Sequence, residues 1–182
     1  MNTDHLAGLP TSFDPSSRIW IYQGHRPFTP EEAAQTRQLL NAFIRTWTSH
    51  GTPVKGYGGI LYNQFIILMA DESEGSGASG VSGCSTDSSV HLIKQIEQQT
   101  DIRLFDRLNL TFYIHNQVRL IPMAQLEDAL NSGVITPDTL YFNNTVETKA
   151  ELETKWMIPL KDSWLGQKFL NRPVAGNPAL TK

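Results

Sequence analysis

The single cysteine of this sequence, Cys84, lies in the run Ser82-Gly83-Cys84-Ser85-Thr86-Asp87-Ser88-Ser89. Thr86 or Asp87 can cap a helix, which places Cys84 one to three residues before the first helical turn. Free backbone N–H groups and the helix dipole favour an anion at such a place, and the same field lowers a thiol's pKa. Two functional readings follow. Ser82, Gly83, Cys84, Ser85, Thr86, Asp87 and Ser88 form a pocket for a small anionic ligand, or Cys84 is a nucleophile that needs a base. His25, His50, His91 and His115 are all available as that base, and His91 is nearest in sequence, although spacing alone selects none of them. Against both stands a packing role, since a free cysteine is usually buried and inert. Asp71, Glu72 and Asp87 add carboxylates, but without the spacing of a calcium loop. Solvated acids are the expectation, with no metal and no cofactor.

The approach to Cys84 is itself a change of composition. From Glu72 to Ser89, Gly75, Gly77, Gly80 and Gly83 are interleaved with serines. A loop of more than about 12–15 residues inside a compact domain is often functional or disordered. Glu72 to Gly80 reads as mobile and Ser82 to Ser89 as ordered. A third candidate is aromatic. In the run Arg18-Ile19-Trp20-Ile21-Tyr22-Gln23, alternation sends Ile19 and Ile21 to one face of a strand and Trp20 and Tyr22 to the other. Leu110, Phe112 and Ile114 alternate with Thr111, Tyr113 and His115 in the same way. If the aliphatic faces meet helices, Trp20, Tyr22 and Tyr113 share an opposite face. Such a face stacks bases in some RNA-binding modules, but it also serves a protein partner or a second copy of the chain. Trp47, Trp156 and Trp164 read as packing residues.

These side chains need elements to hold them. Arg18 to Gln23 is a strand signal. Thr29, Pro30 and Glu32 make a capping box with proline at the first helical position. Leu40, Phe43, Ile44 and Trp47 then fall at helical spacing, which predicts a helix from Pro30 to Ser49 stopped by Gly51. Val54 to Tyr62 and Gln64 to Ala70 read as strands, with a turn at Asn63-Gln64. A second helix runs from Thr86 or Asp87 to about Thr100, and Leu108 to His115 is a strand. Asn116-Gln117 turns into Val118 to Ile121, Met123, Leu126 and Leu130 mark a short helix ending at Gly133, and Thr139 to Phe142 and Trp156 to Ile158 are further strands. The order strand-helix-strand-strand-helix-strand matches a ferredoxin-like βαββαβ antiparallel sheet with both helices on one face. The expected organisation is an arm (1–17), a ferredoxin-like α+β domain (18–115), a small α+β module packed on it (116–170) and a frayed tail (171–182).

Composition narrows the function classes. The 182 residues are 40% hydrophobic and 18% charged, with a formal net charge of −3. Without a dense basic patch, nucleic acid and anionic lipid are poor partners. The apolar run Phe65 to Ala70 is far below the ~20 residues of a membrane span. Met1-Asn2-Thr3-Asp4-His5 lacks a basic n-region and an apolar h-region, and one cysteine excludes an intrachain disulfide. The expectation is a cytoplasmic protein with no membrane contact.

Two resemblances add to this. Trp20-Ile21-Tyr22-Gln23 with Arg26-Pro27-Phe28, Trp47-Thr48-Ser49-His50-Gly51, Gly83 to Val90, Phe105-Asp106-Arg107, Phe142-Asn143-Asn144 and Asp162-Ser163-Trp164 resemble a family of short, uncharacterised bacterial proteins known chiefly from the Bacteroidetes. Its members often carry the label "ABC transporter ATPase". That label implies Gly-x-x-x-x-Gly-Lys-Ser/Thr to cradle phosphates, and this chain contains no Gly-Lys dipeptide. Gln117 to Leu126 followed by Ser132 to Leu140 is similar to the second type of GYF-like module, which runs hairpin, helix, strand. GYF domains bind proline-rich peptides on aromatic grooves. The usual Gly-Pro is missing here and Phe142 replaces a common tryptophan, so the resemblance implies the shape alone. The functional expectation is a non-enzymatic binding or assembly protein that meets a protein partner, or itself, through the aromatic face or the C-terminal module. The alternative is the ligand site around Cys84, thiol-dependent catalysis included.

Overall fold

The structure, a computed structural model, describes residues 8–73, 81 and 83–170, with Cys84 and Ser85 described by backbone alone. In chain order the elements begin with β1 (Arg18–Gln23), α1 (Pro30–Thr46), β2 (Thr48–Ser49), β3 (Thr52–Pro53), β4 (Lys55–Leu61), β5 (Phe65–Asp71) and α2 (Gly83–Thr100). They continue with β6 (Asn109–Ile114), β7 (Gln117–Pro122), α3 (Leu126–Asn131), β8 (Leu140–Phe142), α4 (Lys149–Lys155), β9 (Met157–Pro159) and α5 (Trp164–Leu170). The fold is α+β with antiparallel strand pairs. Its described residues fall into two compact units. One takes the chain through Asn109 together with Asn144–Trp156, and the other takes Leu110–Asn143 and the chain from Met157.

The first unit is built around a sheet in the order β1-β5-β4. The strands expected first, second and third in the βαββ part are all present in it. The strand expected fourth forms as Asn109–Ile114, but it belongs to the sheet β7-β6-β8-β9. Beside β1 the chain instead places Thr148, which bridges Arg18, and Glu147, whose carbonyl accepts the Ile19 N–H at 2.9 Å. A tight turn also makes β7 the local partner of β6. His115 and Asn116 both have positive φ, of 48° and 62°, the conformation of a two-residue hairpin turn whose twist matches its strands.

Helix α1 starts as the sequence requires. Thr29 Oγ1 accepts the Glu32 N–H at 3.3 Å, and Glu32 Oε2 accepts the Thr29 N–H at 2.9 Å. It ends earlier than expected, at Thr46. Trp47 turns to extended backbone (φ −68°, ψ 118°), which drops its indole into the core at 3% exposure. Gly51, at φ 80°, serves the β2–β3 hairpin with His50 and not the helix end. Helix α2 starts earlier than expected, at Gly83. Thr86 to Ser89 are therefore helical, and Ser89 Oγ donates back to the Thr86 carbonyl at 2.7 Å. Hydroxyls can satisfy a helix's own carbonyls in this way as readily as cap it.

The two faces of the sheet are assigned by register. Trp20 lies opposite Leu68 and Tyr22 opposite Ile66, while Gly56 lies opposite Ala70 and Gly58 opposite Leu68. This face meets α1 and α2 in a core of Leu40, Leu68, Leu92, Ile93 and Ile96, with Trp20 and Tyr22 packed against it. The expected orientation of β1 is thus reversed: the aromatics face the helices and the isoleucines face away. On the same face the glycines of β4 leave room for Trp47 and α1. A Cβ on Gly56 would lie 2.8 Å from Trp47 Cε3, and one on Gly58 would lie 3.2 Å from Leu40 Cβ.

The second face, with Ile19, Phe65, Ile67 and Met69, is also buried. Its cover comes from distant sequence. Pro15 and Ser17 accept the N–H groups of Ala150 and Lys149, each at 2.9 Å. Trp156 stands edge-on to Phe65, centroids 5.1 Å apart. Strand β5 is therefore buried on both sides, which explains its unbroken apolar run. In this unit the residues where the chain leaves and returns are bonded together: Trp156 Nε1 donates to Asn144 Oδ1, Asn144 Nδ2 to Gln23 Oε1, and Gln23 Nε2 to the Asn109 carbonyl, at 2.8–3.0 Å.

In the second unit, both edge strands, β7 and β9, end in proline and pass through a 3-10 turn towards a short helix. Proline suits an edge because no ladder hydrogen bond is lost. Leu110, Phe112, Ile121, Leu126, Tyr141, Leu160 and Leu165 form its core. Gly166 lets α5 close onto the turn, since a Cβ there would overlap the Leu160 carbonyl.

Candidate functional site

Helices α1 and α2 of the first unit leave an open cleft of about 670 Å³ between them. One wall is Leu39, Ala42, Phe43 and Thr46, and the other is Ser88, His91, Leu92 and Gln95, with Trp47 and Thr48 completing the lining. Each wall is a stripe at positions i, i+3, i+4 and i+7, the spacing that puts side chains on one helix face. The stripes run about 10 Å along each helix at 1.5 Å per residue. Most of the α1 wall is apolar, while α2 contributes a hydroxyl, an imidazole and an amide around Leu92. Beneath it, Phe43 and Trp47 have centroids 5.1 Å apart, and Trp47 meets Trp20 edge-on at 6.0 Å. Aromatic pairs at these separations pack favourably and stiffen the floor.

His91 is the wall's titratable group. Its Nδ1 lies 2.8 Å from the Asp87 carbonyl, one turn earlier. A carbonyl only accepts, so Nδ1 carries the hydrogen and donates it. The neutral ring then has a bare lone pair at Nε2, which has no partner among the described residues. Thr46 donates its hydroxyl to the carbonyls of Ala42 and Phe43, so towards the cleft it offers lone pairs.

The residues singled out from the sequence take different places in the structure. Ser82 and the side chains of Cys84 and Ser85 lie outside the described residues. Gly83 is the exposed first residue of α2, Thr86 is half-buried, and Asp87 is exposed. Ser88 and His91 do line one site, the cleft. Ser89 is fully buried and hydrogen-bonds Tyr22, whose phenol is pushed up by burial against that bond and the charge of Arg107. The aromatic trio does not form one face: Trp20 and Tyr22 lie under the helices, and Tyr113 belongs to β6 in the other sheet, edge-on to Phe142. His25, His50 and His115 lie in turns or loops outside the cleft. His50 and His115 hold positive-φ turn positions, and His25 Nδ1 accepts the Arg103 N–H at 2.9 Å.

The acids also resolve. Asp71 is 1% exposed and pairs with Lys55 at 2.6 Å. Burial would raise its pKa, but hydrogen bonds from Lys55, Ser73 and the Asp14 N–H outweigh burial and hold it at about 2. Glu32 is held at about 2 by its hydrogen bonds with Arg26 and then by the Thr29 N–H. Arg26 grips it at both oxygens, 2.8 and 2.9 Å, and also donates to the Thr100 carbonyl at the end of α2. Both are structural ion pairs. Among the described residues no group of acids, histidines and cysteine is placed to hold a metal, and no helix is long and apolar enough to cross a membrane.

The chemistry this arrangement offers is recognition: an apolar wall, a polar wall and one imidazole lone pair. Leu39, Ala42, Thr46 and Gln95 escape a reading that searches for nucleophiles and acids. Their signal is the repeat of the i, i+3, i+4, i+7 pattern on a flank of α1 beside the core stripe of Leu40 and Ile44. Compared with protein-family models, with curated proteins and with solved structures, the chain gives no match.

Proposed function

We propose that this is a non-enzymatic binding protein whose recognition site is the α1/α2 cleft, taking a small molecule with an apolar body. The observation that carries this is the pairing of unlike walls across about 670 Å³. Ligand sites commonly measure about 300–1,000 Å³ and combine apolar lining with a few convergent polar groups. The ligand's body lies on Leu39, Ala42 and Phe43, and its polar atoms face Ser88, His91 and Gln95. This keeps the binding role expected of the chain and moves its aromatic component from an open sheet face to Phe43 and Trp47. The Ser88 end of the expected anion turn becomes one lip of the site. A ferredoxin-like reading of this unit is supported by the order β1-β5-β4 with α1 and α2 on one face. A GYF-like reading of the second is supported by its hairpin, helix and strand order.

The test uses the neutral dye N-phenyl-1-naphthylamine, whose fluorescence rises on leaving water. The wild-type chain is expected to bind it while retaining native near-ultraviolet circular dichroism. Ala42→Glu changes an exposed position to a good helix former and puts a carboxylate on the apolar wall. It should weaken binding about tenfold, equivalent to ~1.4 kcal/mol. Equal binding by both proteins would place the dye elsewhere and overturn the reading.

A further inference from the structure

Two histidines of the first unit are held in opposite tautomers by their backbone partners. At His25 the partner is the Arg103 N–H, a donor, so Nδ1 must be bare and the neutral ring carries its hydrogen on Nε2. At His91 the partner is the Asp87 carbonyl, an acceptor, so Nδ1 must carry the hydrogen. The Asp87 carbonyl lies one helical turn before His91, so the tautomer is set by α2 itself and needs no second element. Which nitrogen of a histidine is available to a ligand is decided by what the other nitrogen does. In the cleft the available atom is therefore an acceptor.

Resting on the cleft reading, we infer that His91 Nε2 selects ligands that present a hydrogen-bond donor, a hydroxyl or an N–H, from an apolar body. The geometry around the ring supports the direction of the bond. The opposite wall is apolar at Leu39, Ala42 and Phe43 and carries lone pairs only at Thr46, at the end of its stripe, whereas Ser88 and Gln95 flank His91 on the same helix face. A ligand seated with its apolar part on α1 thus has its donor facing α2. An ether, ester or carboxylate of the same shape would bring an acceptor lone pair against the Nε2 lone pair.

Spectroscopy and binding both test this. Long-range proton–nitrogen correlation of the histidine side chains, with the rings neutral, distinguishes pyridine-type from pyrrole-type nitrogens. His91 is expected to show a pyridine-type Nε2 and His25 a pyridine-type Nδ1, each the other's control in one spectrum. A pyrrole-type Nε2 at His91 overturns the inference and leaves the cleft reading untouched. For binding, the probes are 2-naphthol and 2-methoxynaphthalene, which share a ring system and differ in the donor. Apolar area favours the ether by its extra methyl. The wild-type protein should nevertheless prefer the naphthol by about threefold to tenfold, the value of one neutral hydrogen bond. His91→Phe keeps an aromatic body at an exposed helical position and should abolish or invert that preference. Equal binding of the two probes by the wild-type protein overturns the donor preference alone. Failure of both probes and of N-phenyl-1-naphthylamine to bind overturns the cleft reading with it.

Discussion

The sheet of the first unit is covered on both sides, but by two different devices. On the helix side the cover is local and apolar: α1 and α2 are the elements next in sequence to the strands they cover, and glycines at 56 and 58 let α1 and Trp47 approach. On the other side it is assembled from segments far apart in the chain, 8–17 and 144–156, and it is fastened by polar groups. Lys55 and Asp71 pair there, with the Lys55 ammonium 5.1 Å over the Phe13 ring. Gln23, Asn144 and Trp156 hand hydrogen bonds to one another. The difference follows from what each cover must achieve. A helix face specifies its position through packing, whereas short segments with few apolar residues need directional bonds to fix where they lie.

The sharpest way to break this comparison is at Trp156, the largest fully buried side chain. Trp156→Ala removes the ring that meets Phe65 and Tyr62 and leaves Asn144 Oδ1 without its donor. The expected loss is about 3–5 kcal/mol, as for aromatic truncation in a core, read from the urea midpoint. A loss no larger than that of a surface substitution would mean the second face is not a structural core.

On the helix face the equivalent test adds matter. Gly56→Ala drives a Cβ to 2.8 Å from the Trp47 ring and 3.0 Å from Ile44 Cδ1. Overpacking of this kind costs about 1–3 kcal/mol. Because Trp47 also lines the cleft, the variant should weaken dye binding as well. Lost stability with unchanged binding would separate the floor of the cleft from the core beneath it.

This contrast also explains what could be read from the residues alone. The capping box at Thr29, the stripe of Leu40, Phe43 and Ile44, and the apolar run of β5 are local patterns, and each matches its element in the structure. The reversed orientation of Trp20 and Tyr22 is not local. Alternation separates the two sets of side chains in β1 but does not say which set meets the helices, and here both faces are buried. The bulkier set lies under the helices, and Trp20 there meets Trp47, which sits over Gly56 of a different strand. Likewise α4 is not among the elements read from the sequence, and Trp156, expected to open a strand, instead ends α4 and packs beneath β5. At the cleft, Ser88 and His91 are legible as polar residues on one helix. Their opposite wall required knowing that α1 and α2 lie side by side.

Acid tests the polar fastening directly and distinguishes it from the helix side. Each side has a carboxylate held at about 2, Asp71 beneath the sheet and Glu32 at the start of α1. A carboxyl whose pKa is lowered by folding adds stability above its unfolded value, about 4, and that stability is lost as pH falls through the folded value. The wild-type protein should therefore lose stability progressively between about pH 4 and pH 2. Asp71→Asn keeps the shape and removes the charge. It should flatten the Asp71 part of this limb, about 1–2 kcal/mol once the solvent screening of its partner is allowed for, since the Lys55 side chain is 35% exposed. The part due to Glu32 should persist in Asp71→Asn and disappear on adding Glu32→Gln, measured as urea midpoints from pH 2 to pH 6. If Asp71→Asn leaves the whole limb in place, the charge of Asp71 does not fasten the second face, and Phe13, Trp156 and their apolar neighbours hold it by packing alone.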